Sequence, residues 1–224
     1  MKNNKILIKL IGLMFLIIPL GVKADYFPYR IITTCPTSIN PNTEFSCTLY
    51  PYTDEPISGL QTDYSTTNGL SCSSIDSNYF TASITSSRIL LEPKSSFMIN
   101  PNVMATYHCK SSISGDATIS YSGAKLSIED NGTQKITPIM DSKTIHINST
   151  DSSLASLSLS NGNFNETFSS SLTNYTATIN AANTVINLTK SNSGATVSNY
   201  GYENLNYGSN TFNIVVTAEA GNKT

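Results

Sequence analysis

The chain has 224 residues, of which 12% are charged and 39% hydrophobic, and its formal net charge is -2. This length allows one or two domains with buried cores, and the hydrophobic share argues against disorder over the whole chain. The lack of a basic excess argues against a nucleic-acid partner, and the scarcity of Lys, Glu, Ala and Leu argues against a coiled coil.

Residues 1–24 have the features of a secretory signal peptide. Three lysines precede an apolar run over 10–20, and the small residues Val22 and Ala24 stand third and last before the expected cleavage site. The run is shorter than the ~20 apolar residues that a membrane span needs, so an uncleaved anchor is the less favoured alternative. We expect 25–224 to be secreted, with no membrane span in the mature chain.

Four cysteines follow this segment: Cys35, Cys47, Cys72 and Cys109. An even number outside the cytosol favours two disulfides. Because Cys35 and Cys47 are symmetric about Pro41, a hairpin turning there would place them opposite each other, which favours pairing Cys35 with Cys47 and Cys72 with Cys109. The alternative joins Cys47 to Cys109, since both lie on the apolar sides of their strands and sandwiches often bridge their sheets in this way.

Short segments of alternating apolar and polar residues continue to the end of the chain, which is the pattern of strands with one buried face. No window has a convincing helical period, so we predict an all-β protein built of sandwiches. The predicted strands are 45–49, 57–64, 79–84, 103–109, 117–121, 124–128, 134–136 (after a turn at Asn131-Gly132), 145–147, 154–159, 175–179, 185–188, 195–197 and 211–217.

A change of composition divides the secreted part into two domains. After the polar segment 149–152 cysteine is absent and Asn becomes more frequent. The predicted organisation is therefore two tandem β-sandwich domains after a cleaved signal peptide, with domains at 25–148 and 153–224 and a linker at 149–152.

Four segments of the second domain, 154–160, 168–179, 205–211 and 215–221, follow the order and spacing of a known family. They closely resemble the bacterial cadherin-like β-sandwich domain. The resemblance implies that Tyr175 and Tyr207 pack in the core and that a closing strand normally comes next. We therefore expect the chain to be a fragment, with further domains or a wall anchor beyond Thr224. It does not imply calcium, because the clustered acidic motifs of true cadherins are missing at the domain junction.

The first domain has a strand layout, seen in 36–48, 57–64, 103–107 and 114–119, that resembles more loosely the cohesin-like sandwich of exported proteins from Gram-positive relatives. The resemblance covers about 29–148 and concerns the order of strands. It includes no identifiable dockerin-recognition surface, so cellulosome assembly is not implied. The cysteine positions also differ from those of typical cohesins.

Catalysis is not predicted. His108 and His146 are the only histidines, and each lies in an alternating strand segment. There is no Gly-rich phosphate loop, no His-Glu-x-x-His motif and no Cys-x-x-Cys pair, and bridged cysteines offer no thiolate. We predict a non-enzyme with no cofactor-binding or metal-binding residue.

Tyr200 and Tyr202 are the candidate ligand-binding residues, because tyrosine rings can stack on sugars in a chain that has no Trp. The alternative is that both decorate a loop. We interpret the chain as a non-enzymatic, exported, bacterial cell-surface protein whose modules act in adhesion or as structural spacers, with a surface protein or a polysaccharide as partner. The alternative function is a carbohydrate-binding module accessory to a glycan-degrading system.

Overall fold

The computed structural model describes residues 29–53, 55–94, 102–129 and 132–224, so the predicted signal peptide and Asn131 of the predicted turn lie outside the described residues. Every regular element within these ranges is a β-strand, which confirms the all-β prediction. The strands are β1 (Arg30–Thr34), β2 (Ser38–Ile39), β3 (Glu44–Tyr52), β4 (Ile57–Thr66), β5 (Ser71–Asp76), β6 (Phe80–Ile84), β7 (Arg88–Pro93), β8 (Ala105–Lys110), β9 (Gly115–Glu129), β10 (Thr133–Ile136), β11 (Ile139–Met140), β12 (Lys143–Ile147), β13 (Leu154–Leu159), β14 (Asn183–Lys190), β15 (Thr196–Ser198), β16 (Gly201–Asn204) and β17 (Val215–Thr217).

Two sheets form the part of the chain up to residue 148. One has the strand order β11-β1-β3-β8-β5, and the other runs β2-β12-β9-β4-β7-β6 with β10 paired to β9. Buried side chains of both sheets form one core, among them Leu49 and Tyr107 from the first sheet and Leu60 and Ile119 from the second. Two sheets around a shared core are the layers of a β-sandwich.

The structure contains the disulfides Cys35–Cys47 and Cys72–Cys109, which is the pairing that the sequence favours. Both bridges link neighbouring strands of the five-stranded sheet: Cys35 directly follows β1 and is joined to β3, and Cys72 of β5 is joined to β8. Cys35 and Cys47 do not come from a simple hairpin. Between them, β2 leaves the sheet and pairs in parallel with β12 of the opposite sheet.

The two strands predicted at 117–121 and 124–128 are one continuous strand of 15 residues, β9. Gly123, between them, has a φ of 59°, and the register of β4 against β9 shifts between Gln61 and Asp63. Glycine adopts this left-handed conformation without steric cost, so the strand forms a bulge here and continues where the sequence pattern predicts an end.

The part of the chain after residue 148 contains two smaller sheets, β13-β14-β16 and β15-β17. The strand predicted at 175–179 is wrong, because this segment makes only one isolated bridge, between Phe164 and Ala177. The strand predicted at 211–217 is reduced to β17. In 175–179 and in 211–214 the apolar pattern is present, but no neighbouring strand of the described backbone completes the hydrogen bonds.

Candidate functional site

A groove of about 1420 Å³ lies in the part of the chain after residue 148. Its lining is mixed, with apolar side chains and Ser, Thr and Asn in similar number, and few apolar side chains of this part are fully buried. The apolar lining includes Leu154, Leu157 and Leu159 of β13, Val215 and Val216 of β17, and Phe168, Leu172 and Phe212 from the intervening loops. The hydrophobic surface that would be the centre of a closed sandwich is therefore accessible from outside.

Two strand edges border the groove. β13 is hydrogen-bonded to β14 on one side, and none of the described strands pairs with its other side. β17 pairs with β15, and on its far side Val216 exchanges two backbone hydrogen bonds with Thr224, at 2.8 and 2.9 Å. The Thr224 hydroxyl also bonds to that of Ser152, just ahead of β13. An extended segment at Lys223 and Thr224 therefore already enters the space between the two edges.

An aromatic cluster fixes one wall of the groove. The ring of Tyr175 lies 5.2 Å from that of Phe164 and 6.2 Å from that of Phe168, measured between centroids. The Tyr175 hydroxyl donates to the Ser169 carbonyl at 2.8 Å. These contacts hold a segment without regular secondary structure in one position.

The candidate residues Tyr200 and Tyr202 lie on the surface, 52% and 62% exposed. Tyr202 is in β16, opposite Val185 of β14, and Tyr200 precedes that strand. The core position expected for Tyr207 is wrong, since its side chain is fully exposed. Its loop is closed by the Asn210 side chain, which bonds to the backbone of Asn206 at 2.9 and 3.0 Å, and this turn directs Tyr207 into solvent.

His108 lies between Ser46 and Asp76 on the outer face of the five-stranded sheet. Its Nδ1 is 3.0 Å from the Ser46 hydroxyl and its Nε2 is 3.0 Å from the Asp76 carboxylate. These are the residue types of a hydrolase triad, but a triad also needs donors for an oxyanion and a site that excludes water. Asp76 is 81% exposed, so water surrounds this row and it is read as a surface hydrogen-bond network.

His146 connects the two parts of the chain. Its Nδ1 is 2.7 Å from the Asp116 carboxylate of β9, and its Nε2 is 3.0 Å from the carboxylate of Glu219, which follows β17. Glu219 also accepts the Ser149 N–H at 3.1 Å, and the Ala220 N–H donates to the Ser149 carbonyl at 2.9 Å. The bonds to Asp116 and then Glu219 raise the pKa of His146, and the bonds from His146 and Ser149 lower the pKa of Glu219.

The described residues contain no group of three or more His, Cys, Asp and Glu side chains that could hold a metal ion. Within the same part of the chain, no element is a helix with the length and apolar character needed to cross a membrane. All four cysteines are in disulfides, so none supplies a thiolate ligand or nucleophile.

No family model matches the chain, and no curated protein matches it. The structure is similar to a non-cellulosomal cohesin from the hyperthermophilic archaeon Archaeoglobus fulgidus, with 11% identity and a TM-score of 0.43 over 55% of this chain and 92% of that one. A type II cohesin domain from the cellulosome of Acetivibrio cellulolyticus gives 11% identity and a TM-score of 0.43, over 53% and 95% of the two chains. The human F-spondin reeler domain gives 13% identity and a TM-score of 0.35, over 55% of this chain and 89% of that one. At these values the similarities identify no binding partner.

Proposed function

We propose that the chain is a non-enzymatic, exported protein of a bacterial cell surface, in which two β-rich domains act in adhesion or as structural modules. The groove between β13 and β17 would be its recognition surface, and an extended segment of another surface protein would be its ligand. The observation that carries this proposal is a groove in which apolar side chains of β13 and β17 lie beside the unpaired edge of β13.

The two sides of the groove supply different parts of such an interaction. An incoming extended segment could form main-chain hydrogen bonds with the free edge of β13, as in strand addition to other sheets. Its alternate side chains would point to one face and contact Leu157, Leu159 and Val215, which line the groove. The backbone would give affinity and the apolar contacts would give selectivity for alternating sequences.

The disulfides support export. Two bridges within one sheet suit an oxidising environment outside the cytosol, and they would hold the first domain together where no cellular chaperone acts. A surface low in charge and rich in Ser, Thr and Asn suits a solvated spacer between the cell and its partner.

The test is binding of a fluorescent synthetic peptide of about ten residues in which valine and threonine alternate. We expect saturable binding, seen as a rise in fluorescence anisotropy, that Leu157→Lys weakens at least about tenfold because it places a charge among the apolar side chains of the groove. Ser158→Lys is the matched control, since Ser158 is the next residue of β13 and is exposed on the opposite face. Equal affinities for the two variants, or no binding, would contradict the proposal.

Carbohydrate binding is the second candidate. It is favoured by the exposure of Tyr202, which lies in the edge strand β16, and of Tyr200, which directly precedes that strand. Two exposed rings could stack on the apolar faces of sugars. A soluble polysaccharide panel should then bind wild-type protein, and Tyr200→Ala and Tyr202→Ala should each weaken binding. Indifference across the panel would remove this candidate and leave the groove proposal untouched.

A further inference from the structure

The two histidines of the chain have different hydrogen-bond partners, and these partners determine which protonation state of each ring can satisfy every bond. His108 bonds to one carboxylate, of Asp76, and to one hydroxyl, of Ser46. A neutral imidazole satisfies both, because it can donate to the carboxylate through one nitrogen and accept from the hydroxyl through the other. His146 instead has a carboxylate at each nitrogen, from Asp116 and Glu219.

An ionised carboxylate only accepts hydrogen bonds, and neutral imidazole has only one N–H to donate. If His146 were neutral, one nitrogen lone pair would therefore face a carboxylate oxygen at about 3 Å, which is repulsive. The observed arrangement is satisfied only by the imidazolium, which donates through both nitrogens.

The two carboxylates belong to different parts of the molecule. Asp116 is opposite His146 in the ladder of β9 and β12, within the first sandwich. Glu219 belongs to the turn after β17, in the other part, and its carboxylate also binds the Ser149 N–H. We propose that protonated His146 latches the part of the chain after residue 148 to the first sandwich, and that loss of this proton releases the contact.

Among the residues that the structure describes, the charged groups acting on this histidine are its two hydrogen-bond partners. On β9 the facing charge is Asp116, from the turn after β17 it is Glu219, and on the β2 side the register neighbour of His146 is the uncharged Ser38. Gly194 packs against the Glu219 carboxyl, where an added Cβ would lie 3.0 Å from its carbon. A side chain at position 194 would therefore crowd the Glu219 carboxylate.

The direction of the pH dependence follows from the two shifts. A histidine whose pKa is raised above its ordinary 6.5 stabilises the contact fully below that value, and this stabilisation is lost as pH rises through the raised pKa. A glutamate whose pKa is lowered below its ordinary 4.5 contributes above that value and stops contributing as pH falls through the lowered pKa. The latch is closed between these limits and opens on the alkaline side.

The test follows each histidine and the junction by NMR, on the protein with both disulfides intact. We expect His146 to titrate above 6.5 and Glu219→Gln to lower the midpoint of His146. Asp76→Asn, the matched change beside His108, should leave the midpoint of His146 unchanged. We also expect the hydrogen-exchange protection of the Ser149 and Ala220 amides to fall about tenfold as His146 loses its proton, with no equivalent fall in the amides of β14.

Three results would overturn the latch. His146 could titrate at or below its ordinary value, which would mean that the carboxylates do not hold its proton. The junction amides could keep the same protection across the titration. Finally, Glu219→Gln could retain the full pH-dependent step at Ser149, which would assign that step to another group. If Glu219→Gln fails to fold, the titration of His146 and the exchange of the junction amides in the wild-type protein decide between the first two outcomes.

Discussion

Tyr107, which is buried, and Tyr121, which is partly buried, illustrate how individual residues in the first sandwich depend on their surroundings. The hydroxyls of Tyr107 and Tyr121 form a hydrogen bond between the sheets. Burial raises the pKa of Tyr107 far above its usual range, with a smaller contribution from Tyr121, and burial also raises the pKa of Tyr121. In the folded protein both phenols therefore keep their protons at pH values where exposed tyrosines ionise.

The consequence is a loss of stability in alkali. Because the folded pKa of each phenol exceeds the unfolded value of about 10, the free energy of unfolding should fall as pH rises past about 10. Denaturant unfolding measured between about pH 8 and pH 11 should show a shallower decline for Tyr107→Phe, which removes one of the two groups. Tyr202→Phe, at an exposed position, should follow wild type. The same decline in both variants would contradict a role for the buried phenol.

Tyr175 should stabilise the wall of the groove. Tyr175→Ala removes the contacts with Phe164 and Phe168 and should lower the free energy of unfolding by about 2 kcal/mol, less than for a fully buried ring because Tyr175 is half-buried. Tyr175→Phe removes only the hydroxyl bonds to Ser169 and should cost about 1 kcal/mol. Tyr200→Ala is the exposed control, and a loss as large as that of Tyr175→Ala would be unexpected.

At single positions the sequence predicts inward and outward residues well where a strand is formed. Phe45, Cys47 and Leu49 are buried as their alternation in β3 indicates. Met104, which the same alternation places on the polar side, is fully buried. The reason is that β8 begins only at Ala105, so the period of two does not extend to the residue before it.

At the scale of elements, the alternation of apolar and polar residues does not predict where the backbones of two strands approach closely. Gly59 lies in β4, where a Cβ would be 2.8 Å from the backbone carbonyl oxygen of Leu91 in β7. Gly59→Ala should therefore force the two strands apart and cost about 1–3 kcal/mol in the free energy of unfolding. Ser65→Ala, at an exposed position of the same strand, should change it by less than about 0.5 kcal/mol. Crystal structures of both variants would show whether the β4–β7 spacing changes, and equal stability would mean that the contact relaxes freely.

The strand predictions succeed or fail according to what the segment pairs with. The alternating segments around Phe45 and Ile57 become β3 and β4 because each has partners on both sides. The segment 175–179 has an equally good pattern but gains only a bridge to Phe164. Pairing partners are distant in sequence, so local alternation can predict which residues could form a strand without predicting which do.

At the scale of the whole molecule, the disulfides should contribute unequally. They close segments of 12 and 37 residues, and the longer loop restricts the unfolded chain more. Replacing Cys72 and Cys109 together by Ala should cost about 4 kcal/mol, and replacing Cys35 and Cys47 about 3 kcal/mol. Both pairs are compared by denaturant unfolding of the oxidised protein. A larger loss from the Cys35–Cys47 pair would show that native contacts, and not loop length, set the contributions.

The candidate sites at this scale are those the sequence predicts least. His146 meets Asp116 and Glu219 across separations of 30 and 73 residues, and no local motif joins them. The groove likewise depends on β13 and β17 lying at opposite sides of one space. The sequence favours the observed disulfide pairing because Cys35 and Cys47 are symmetric about Pro41, although the chain between them is not the expected simple hairpin.

The most direct test of the recognition surface is to map the binding of the alternating valine–threonine peptide by NMR chemical-shift changes. The account predicts shifts along the edge of β13 and at Val215, with new protection of β13 amides from exchange, because the peptide would pair with that edge. Shifts confined to Tyr200 and Tyr202, or none at saturating peptide, would contradict the assignment of the groove as the site through which this protein binds its partners.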